Sequence, residues 1–179
     1  MNKKVSWGDI IQGIIEANPQ EMDALMLQIN YDYRQGRKIY PSIDSIFAMC
    51  KAVPLEECRT VLVGGTCLED VVKRCLRELV GEGWKEAMRA NGIINIYEHL
   101  TVTKTSKHDW SYFINMLIYH LSRHNKNCSF IFIGEHNWDK EAYVIGKTHK
   151  VTKIAGNIAW ELEDLLQDGL RGQHVGNSR

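Results

Sequence analysis

The chain has no excess of either charge: 22 lysines and arginines balance 22 aspartates and glutamates over 179 residues. With a net charge of zero, no global field announces a polyanionic partner, so any such partner must meet a local patch. No apolar run approaches the length of a membrane span, and no membrane association is expected. Two lysines near the start are followed by Gly8 and Asp9 instead of an apolar stretch, so a secretory signal is not expected either. The five cysteines (Cys50, Cys58, Cys67, Cys75, Cys128) are odd in number and form no C-x-x-C pair, which argues against zinc, an iron–sulfur cluster or another cofactor. They read as reduced, mostly buried thiols of a cytoplasmic protein. There is no sequence repeat and no low-complexity linker. What remains, 44% hydrophobic and 25% charged, suits one soluble domain with a substantial core.

The stretch around which the rest is organised is Thr60 to Asp70. Thr60 to Val63 are β-branched or apolar, and the run is short enough for a buried parallel strand. Gly64 and Gly65 let the backbone turn, and a helical run to about Val80 follows at once. Thr66 and Glu69 have the spacing of a capping box, worth on the order of 1 kcal/mol to such a helix. Further strands are expected at Ile93–Tyr97, Ser129–Ile133 and Val151–Ala155. Before them, apolar residues at helical spacing predict helices ending before Asn18-Pro19 and at Arg34-Gln35-Gly36. A short third helix opens at Pro41-Ser42 and carries Ile43, Ile46, Phe47 and Cys50 inward. Later helices are expected from an Asp109 cap with Phe113, Met116, Leu117, His120 and Leu121 inward, in a stretch after the third strand to about Val144, and from an Asn157 cap with Gly169 beyond its end. Helices first, then strands alternating with helices, means a three-layer α/β/α domain with a four-stranded parallel sheet. Residues 1–170 are expected to form this single domain, with N-terminal helices over 1–56, an α/β core over 57–168 and a disordered tail over 171–179.

Laid out in this way, the chain resembles the uracil-DNA glycosylase family. Gln35-Gly36-Arg37-Lys38-Ile39-Tyr40-Pro41 is similar to the family's approach to its Tyr-Pro-Pro segment, and Val61-Leu62-Val63-Gly64 to the strand entering its G-Q-D-P-Y-H-G motif. Gly92-Ile93-Ile94-Asn95-Ile96 with Leu100-Thr101-Val102 resembles its second strand and Leu-Thr-Val exit. Trp110 and Phe113 match its Trp-Glu-x-Phe helix, and Phe130 to Gly134 its third strand. The resemblance implies the family's fold over roughly Ile39 to Leu166. It also implies where chemistry would sit, and there the residues differ. The Asp that orients water in the family falls on Thr66, its neighbours on Cys67, Leu68 and Glu69, and the pocket Asn on Tyr97. The His-Pro-Ser-Pro motif falls on Gly156-Asn157-Ile158-Ala159, and the segment with the base-stacking Phe is largely absent after Gly65. On that comparison the chain is expected to be a non-catalytic member, not an enzyme.

Charge is unevenly distributed within the neutral total. From Thr101 to Ile154 eight lysines and arginines face four acids, whereas the last helix holds Glu161, Glu163, Asp164 and Asp168. Lys104, Lys107 and His108 follow the second strand, and His136, Trp138 and Lys140 follow the third. Both loops leave strand C-terminal ends, so they should converge beside Gly64-Gly65. Cations for phosphates beside an aromatic for a base suit single-stranded nucleic acid, RNA ahead of DNA. The plainer alternative is a solvated basic surface over a core tryptophan. Two rivals stand beside the binding reading. One is a protein-interaction scaffold, such as a viral replication accessory factor or inhibitor, docking a partner through the acidic last helix. The other is an enzyme using Cys67, or Glu98 and His99, in unrelated chemistry. His120 and His124 have the spacing of a metal pair but no surrounding ligand pattern, so they read as core and surface histidines.

Overall fold

Four strands, each bounded by glycine, turn or polar residues, form one parallel sheet in the order β2-β1-β3-β4. They are β1 (Thr60–Gly64), β2 (Ile93–Tyr97), β3 (Ser129–Ile133) and β4 (Val151–Ile154). The computed structural model describes residues 4–65, 68–134, 138–155 and 159–171. The register aligns Val61 with Ile94 and Phe130, and Leu62 with Asn95 and Ile131, so alternate residues form common rows on each face.

Those rows decide the layers. Val61, Val63, Ile94, Ile96, Phe130 and Phe132 face one core, covered by α1 (Trp7–Ala17), α6 (Ser111–His124) and α7 (Asp139–Ile145). Leu62, Ile93, Ile131, Ile133 and Ile154 face the other, covered by α4 (Leu68–Val80), α5 (Trp84–Ala90) and α8 (Ala159–Arg171). Both faces are buried, which is why the strands read as nearly continuous apolar runs and not as alternating ones. The remaining helices are α2 (Pro19–Arg34) and α3 (Ala48–Ala52). The expected three-layer architecture with four parallel strands is present.

Several local expectations need correction. The segment after Pro41 is a 3-10 turn at Ile43–Ser45 and then the separate five-residue α3, with Ile46 and Phe47 only half-buried between them. Asp109 caps from one residue outside the assigned N-cap, its Oδ1 accepting from Ser111 N at 3.0 Å and Ser111 Oγ at 2.6 Å. On α6, Ile114 and Ile118 complete the buried stripe, and Met116 and His120 are half-buried. α8 runs through Gly169 to Arg171. The Thr66 capping box, the Asn157 cap and the tail beyond Arg171 lie outside the described residues.

One glycine is obligatory. Gly92 enters β2 with φ +64°, and a Cβ there would stand 2.1 Å from the Glu57 carbonyl oxygen. That close approach lets Gly92 O accept from Arg59 N at 2.7 Å and fixes where β2 starts against β1.

Candidate active site at the strand ends

In an open parallel sheet, the loops leaving the strand C-termini enclose the crevice in which ligands bind. Here β1 ends in Gly64 and Gly65, with the β2 exit on one side and the β3 exit on the other. Glu98 N donates to Gly64 O at 2.8 Å, which extends the ladder one residue beyond β2 and anchors the exit. The Glu98 carboxylate then folds over the glycine turn. Its Oε2 is 3.6 Å from where a Gly65 Cβ would stand, so a carboxylate from the second strand occupies the mouth of the first.

His99 lies beside it. Its Nε2 is 3.9 Å from Glu98 Oε1, and both side chains are about four-fifths buried, at 19% and 23% exposure. His99 Nδ1 is 3.0 Å from the His108 carbonyl oxygen, which can only accept. That contact assigns the proton of the neutral ring to Nδ1 and leaves Nε2 on the Glu98 side. A carboxylate and an imidazole edge in one crevice can orient water, hold a developing cation and deliver a proton.

The carbonyl that orients His99 is itself held by a buried network. His108 Nε2 is 3.1 Å from Asp32 Oδ2, and His108 Nδ1 is 2.8 Å from Thr101 Oγ1. Trp110 Nε1 donates to Thr101 Oγ1 at 2.7 Å. Ser106 Oγ donates to Asp32 Oδ2 at 2.5 Å, and the Arg37 guanidinium donates to Asp32 Oδ1 at 2.5 Å. The Ser106 hydrogen bond, with Arg37 and His108, holds the Asp32 carboxyl below the usual range against the opposing effect of burial. Asp32, on α2, thus ties the loop after β2 to the N-terminal helices.

Of the six residues expected to hold nucleic acid, five are described, and two of those, His108 and Trp138, are buried. Lys104 and Lys107 are exposed on the β2 exit loop. That loop folds toward the N-terminal segment, where Val102 bridges both Tyr40 and Lys107. Lys140 is exposed on α7. His108 is only 2% exposed inside the Asp32 network, so it is a structural histidine with no surface to offer. Trp138 is 4% exposed, its ring centroid 5.4 Å from that of Phe132, and the base-stacking role assigned to it is corrected to a core role. His136 lies outside the described residues, as does Cys67. Burial pushes the thiols of Cys50 and Cys58 up to about 12 and that of Cys128 to about 11, which removes them as nucleophiles near neutrality. The His120 and His124 rings stack 6.2 Å apart, and no group of three or more metal-type ligands occurs among the described residues.

Two residues that matter here escaped the sequence reading. Asp32 gave no signal, because Ser106 and His108, the loop residues it anchors, are far along the chain. Asn95 gave one, as the only polar residue inside Ile93-Ile94-Asn95-Ile96. Its side chain lies on the α5 side of the sheet, beside a groove at the free edge of β2. Its Oδ1 is buried with no hydrogen-bond partner among the described residues.

No protein-family profile matches the chain. A uracil-DNA glycosylase of Pseudomonas putida strain GB-1 is 23% identical over 180 residues, spanning 83% of this chain and 77% of that protein. One of Pseudomonas entomophila strain L48 is 23% identical over 157 residues, spanning 70% and 68%. Among solved structures, mimivirus uracil-DNA glycosylase superposes with a TM-score of 0.61 at 14% identity, over 83% of this chain and 67% of that one. A mutant UNG from Nitratifractor salsuginis superposes with a TM-score of 0.56 at 12% identity, over 90% and 97%. The chain is similar in sequence to uracil-DNA glycosylases and shares their fold.

This finding overturns the expectation of a non-catalytic binding protein. The relatives carry the name of an enzyme, and nothing in their comparison with this chain marks it as degenerate. There is also a physical reason why the motif comparison misled. It scored substitutions at Thr66, Tyr97 and Gly156 one position at a time, whereas the crevice receives its carboxylate and imidazole from Glu98 and His99, just beyond the family's pocket position. As for the membrane, no helix among the described residues is long and apolar enough to cross one.

Proposed function

We propose that this chain is a DNA-base glycosylase of the uracil-DNA glycosylase family that hydrolyses the bond between a base and its deoxyribose. The observation that carries the proposal is the Glu98–His99 pair at the β1 glycine turn, in a chain whose relatives are named uracil-DNA glycosylases. Loss of the base leaves positive charge on the sugar, and the Glu98 carboxylate is the group to offset that charge and to orient the attacking water. The protonated His99 ring donates from Nε2 to the departing base, with Nδ1–H held by the His108 carbonyl. Lys104, Lys107 and Lys140 are the exposed cations proposed to meet the DNA phosphates. The N-terminal helices and the sheet share one core cluster, which supports treating residues 1–170 as one folding unit. The four described cysteines are all free thiols, which fits work in a reducing cytoplasm.

The test is base release from single- and double-stranded oligonucleotides carrying uracil or another modified base, read as strand scission after alkali. Wild-type protein is expected to release base, and Glu98→Gln to lose about 100-fold or more of that rate. A Glu98→Gln protein that folds normally and keeps the full rate, or a wild type inert on the whole panel, would sink the assignment.

A further inference from the structure

Among the described residues β2 pairs with β1 alone, at the edge of the sheet. Gly92 O accepts from Thr60 N and Glu98 N donates to Gly64 O, so these two residues face β1 with their main-chain groups. The two-residue alternation of a strand then turns the main-chain groups of Ile94 and Ile96 toward β1, and those of Ile93 and Asn95 toward the opposite edge. On that side lies a groove of about 620 Å³. Its floor is the free edge of β2. Ile46, Ala48 and Ala52 form one wall, and Trp84 and Met88 of α5 form the other. Main-chain donors and acceptors that repeat every second residue are matched by another extended backbone, and an unpaired edge is a template for one.

We propose that this groove docks an extended peptide, a short apolar run with acidic flanks, as a fifth strand beside β2. The side-chain chemistry follows from the walls. A strand sends alternate side chains to opposite faces, and here both faces meet apolar walls, so the partner must be apolar at successive positions. Its flanks follow from charge: Lys85 and Arg89 stand exposed on the α5 rim, and neither forms an ion pair among the described residues. A second observation points to a ligand. The Asn95 residue is only 8% exposed, yet its Oδ1 has no hydrogen-bond partner among the described residues, a costly arrangement for a polar atom in the middle of an isoleucine strand. An incoming strand brings hydrogen-bond donors to this side of β2. The inference uses none of the glycosylase chemistry, although His99 lines the same groove.

The probe is a pool of fluorescein-labelled heptapeptides with glutamate at both ends and valine, isoleucine, leucine or threonine at the five positions between. Saturable polarisation with a micromolar dissociation constant is expected. N-methylation of alternate residues in one phase should weaken binding at least tenfold, and methylation in the other phase should leave it unchanged, because only one edge of the added strand faces β2. This comparison uses unaltered protein, so it cannot be confused with misfolding. Lys85→Glu with Arg89→Glu should also weaken binding about tenfold with an unchanged circular dichroism melt. No binding up to about 1 mM peptide overturns the proposal. Indifference to methylation in both phases does so too, as does displacement of all groove contacts by a ten-residue deoxythymidine oligomer that binds where the peptides fail.

Discussion

The two ends of a single strand treat buried polar groups in opposite ways. In the middle of β2, Asn95 puts an amide oxygen among isoleucines with no hydrogen-bond partner among the described residues. Just past the strand, Thr101 and His108 are equally buried, yet each bonds to the other, and Asp32, Ser106 and Trp110 complete the set. A satisfied network of this kind specifies one conformation, and here it fixes the carbonyl that aims His99. An unsatisfied group does the reverse, lowering stability where it sits and marking a surface that a ligand can complete. The molecule therefore keeps its rigid polar chemistry beside the crevice and its polar debt at the open edge.

The severest way to break the comparison is to move the whole strand. Gly92→Ala would put a Cβ 2.1 Å from the Glu57 carbonyl, at a φ of +64° that a side chain resists, and main chain cannot yield as a flexible side chain does. A loss of about 3 kcal/mol is expected from the clash and the strained backbone together. A denaturant titration that finds less than about 1 kcal/mol would show that β2 is not pinned at its entry.

Thr101→Val probes the satisfied end alone. It keeps the shape of the side chain but removes the hydroxyl shared by His108 Nδ1 and Trp110 Nε1. Stranding a buried donor costs roughly 1–3 kcal/mol, so the thermal midpoint should fall clearly. The same variant should slow base release, because the His108 carbonyl holds the His99 ring. An unchanged melt would mean that the network is incidental.

Asn95→Leu probes the other end and should act with the opposite sign. It removes an unpartnered amide from a strand of isoleucines, and the adjacent groove gives the extra methyl groups room. The expected gain is about 1 kcal/mol. A fall in the melting temperature would show that the amide is already satisfied in the folded protein, and would remove one support of the docking proposal.

Much of the scaffold was legible in sequence, because parallel strands buried on both faces leave apolar runs cut by glycine, as at Val61-Leu62-Val63-Gly64. The break between Ser45 and Ala48 was not legible, since Ile43, Ile46, Phe47 and Cys50 are compatible with one continuous helix. The crevice was read in part. Topology placed the loops after β2 and β3 beside the Gly64-Gly65 turn, and Glu98 with His99 stood out as a titratable pair. Whether an aromatic in such a loop turns out or in depends on what lies beneath it, and Trp138 turns in because Phe132 presents a ring to it. Asp32 was out of reach altogether: 76 residues separate it from His108, and no local pattern marks a helix aspartate as the anchor of a distant loop.

The smallest expected effect is a change in slope with pH, and it tests whether the satisfied network depends on charge. Asp32 has its folded-state carboxyl lowered, first by the Ser106 hydrogen bond and then by Arg37 and His108, against desolvation. A carboxyl lowered on folding contributes stability that is fully present above its unfolded value. That contribution is lost as pH falls through the folded value, here at and below about pH 4. Melting curves taken downward from neutrality should therefore stay level with respect to this group until the acid range and then decline. Asp32→Asn keeps one oxygen, enough for Ser106 or Arg37 but not both, and cannot titrate, so its acid decline should be shallower than that of the wild type, whatever its level at neutral pH. Parallel acid limbs in the two proteins would show that the network is held by hydrogen bonds indifferent to the charge on Asp32, and the contrast with Asn95 would then rest on geometry alone.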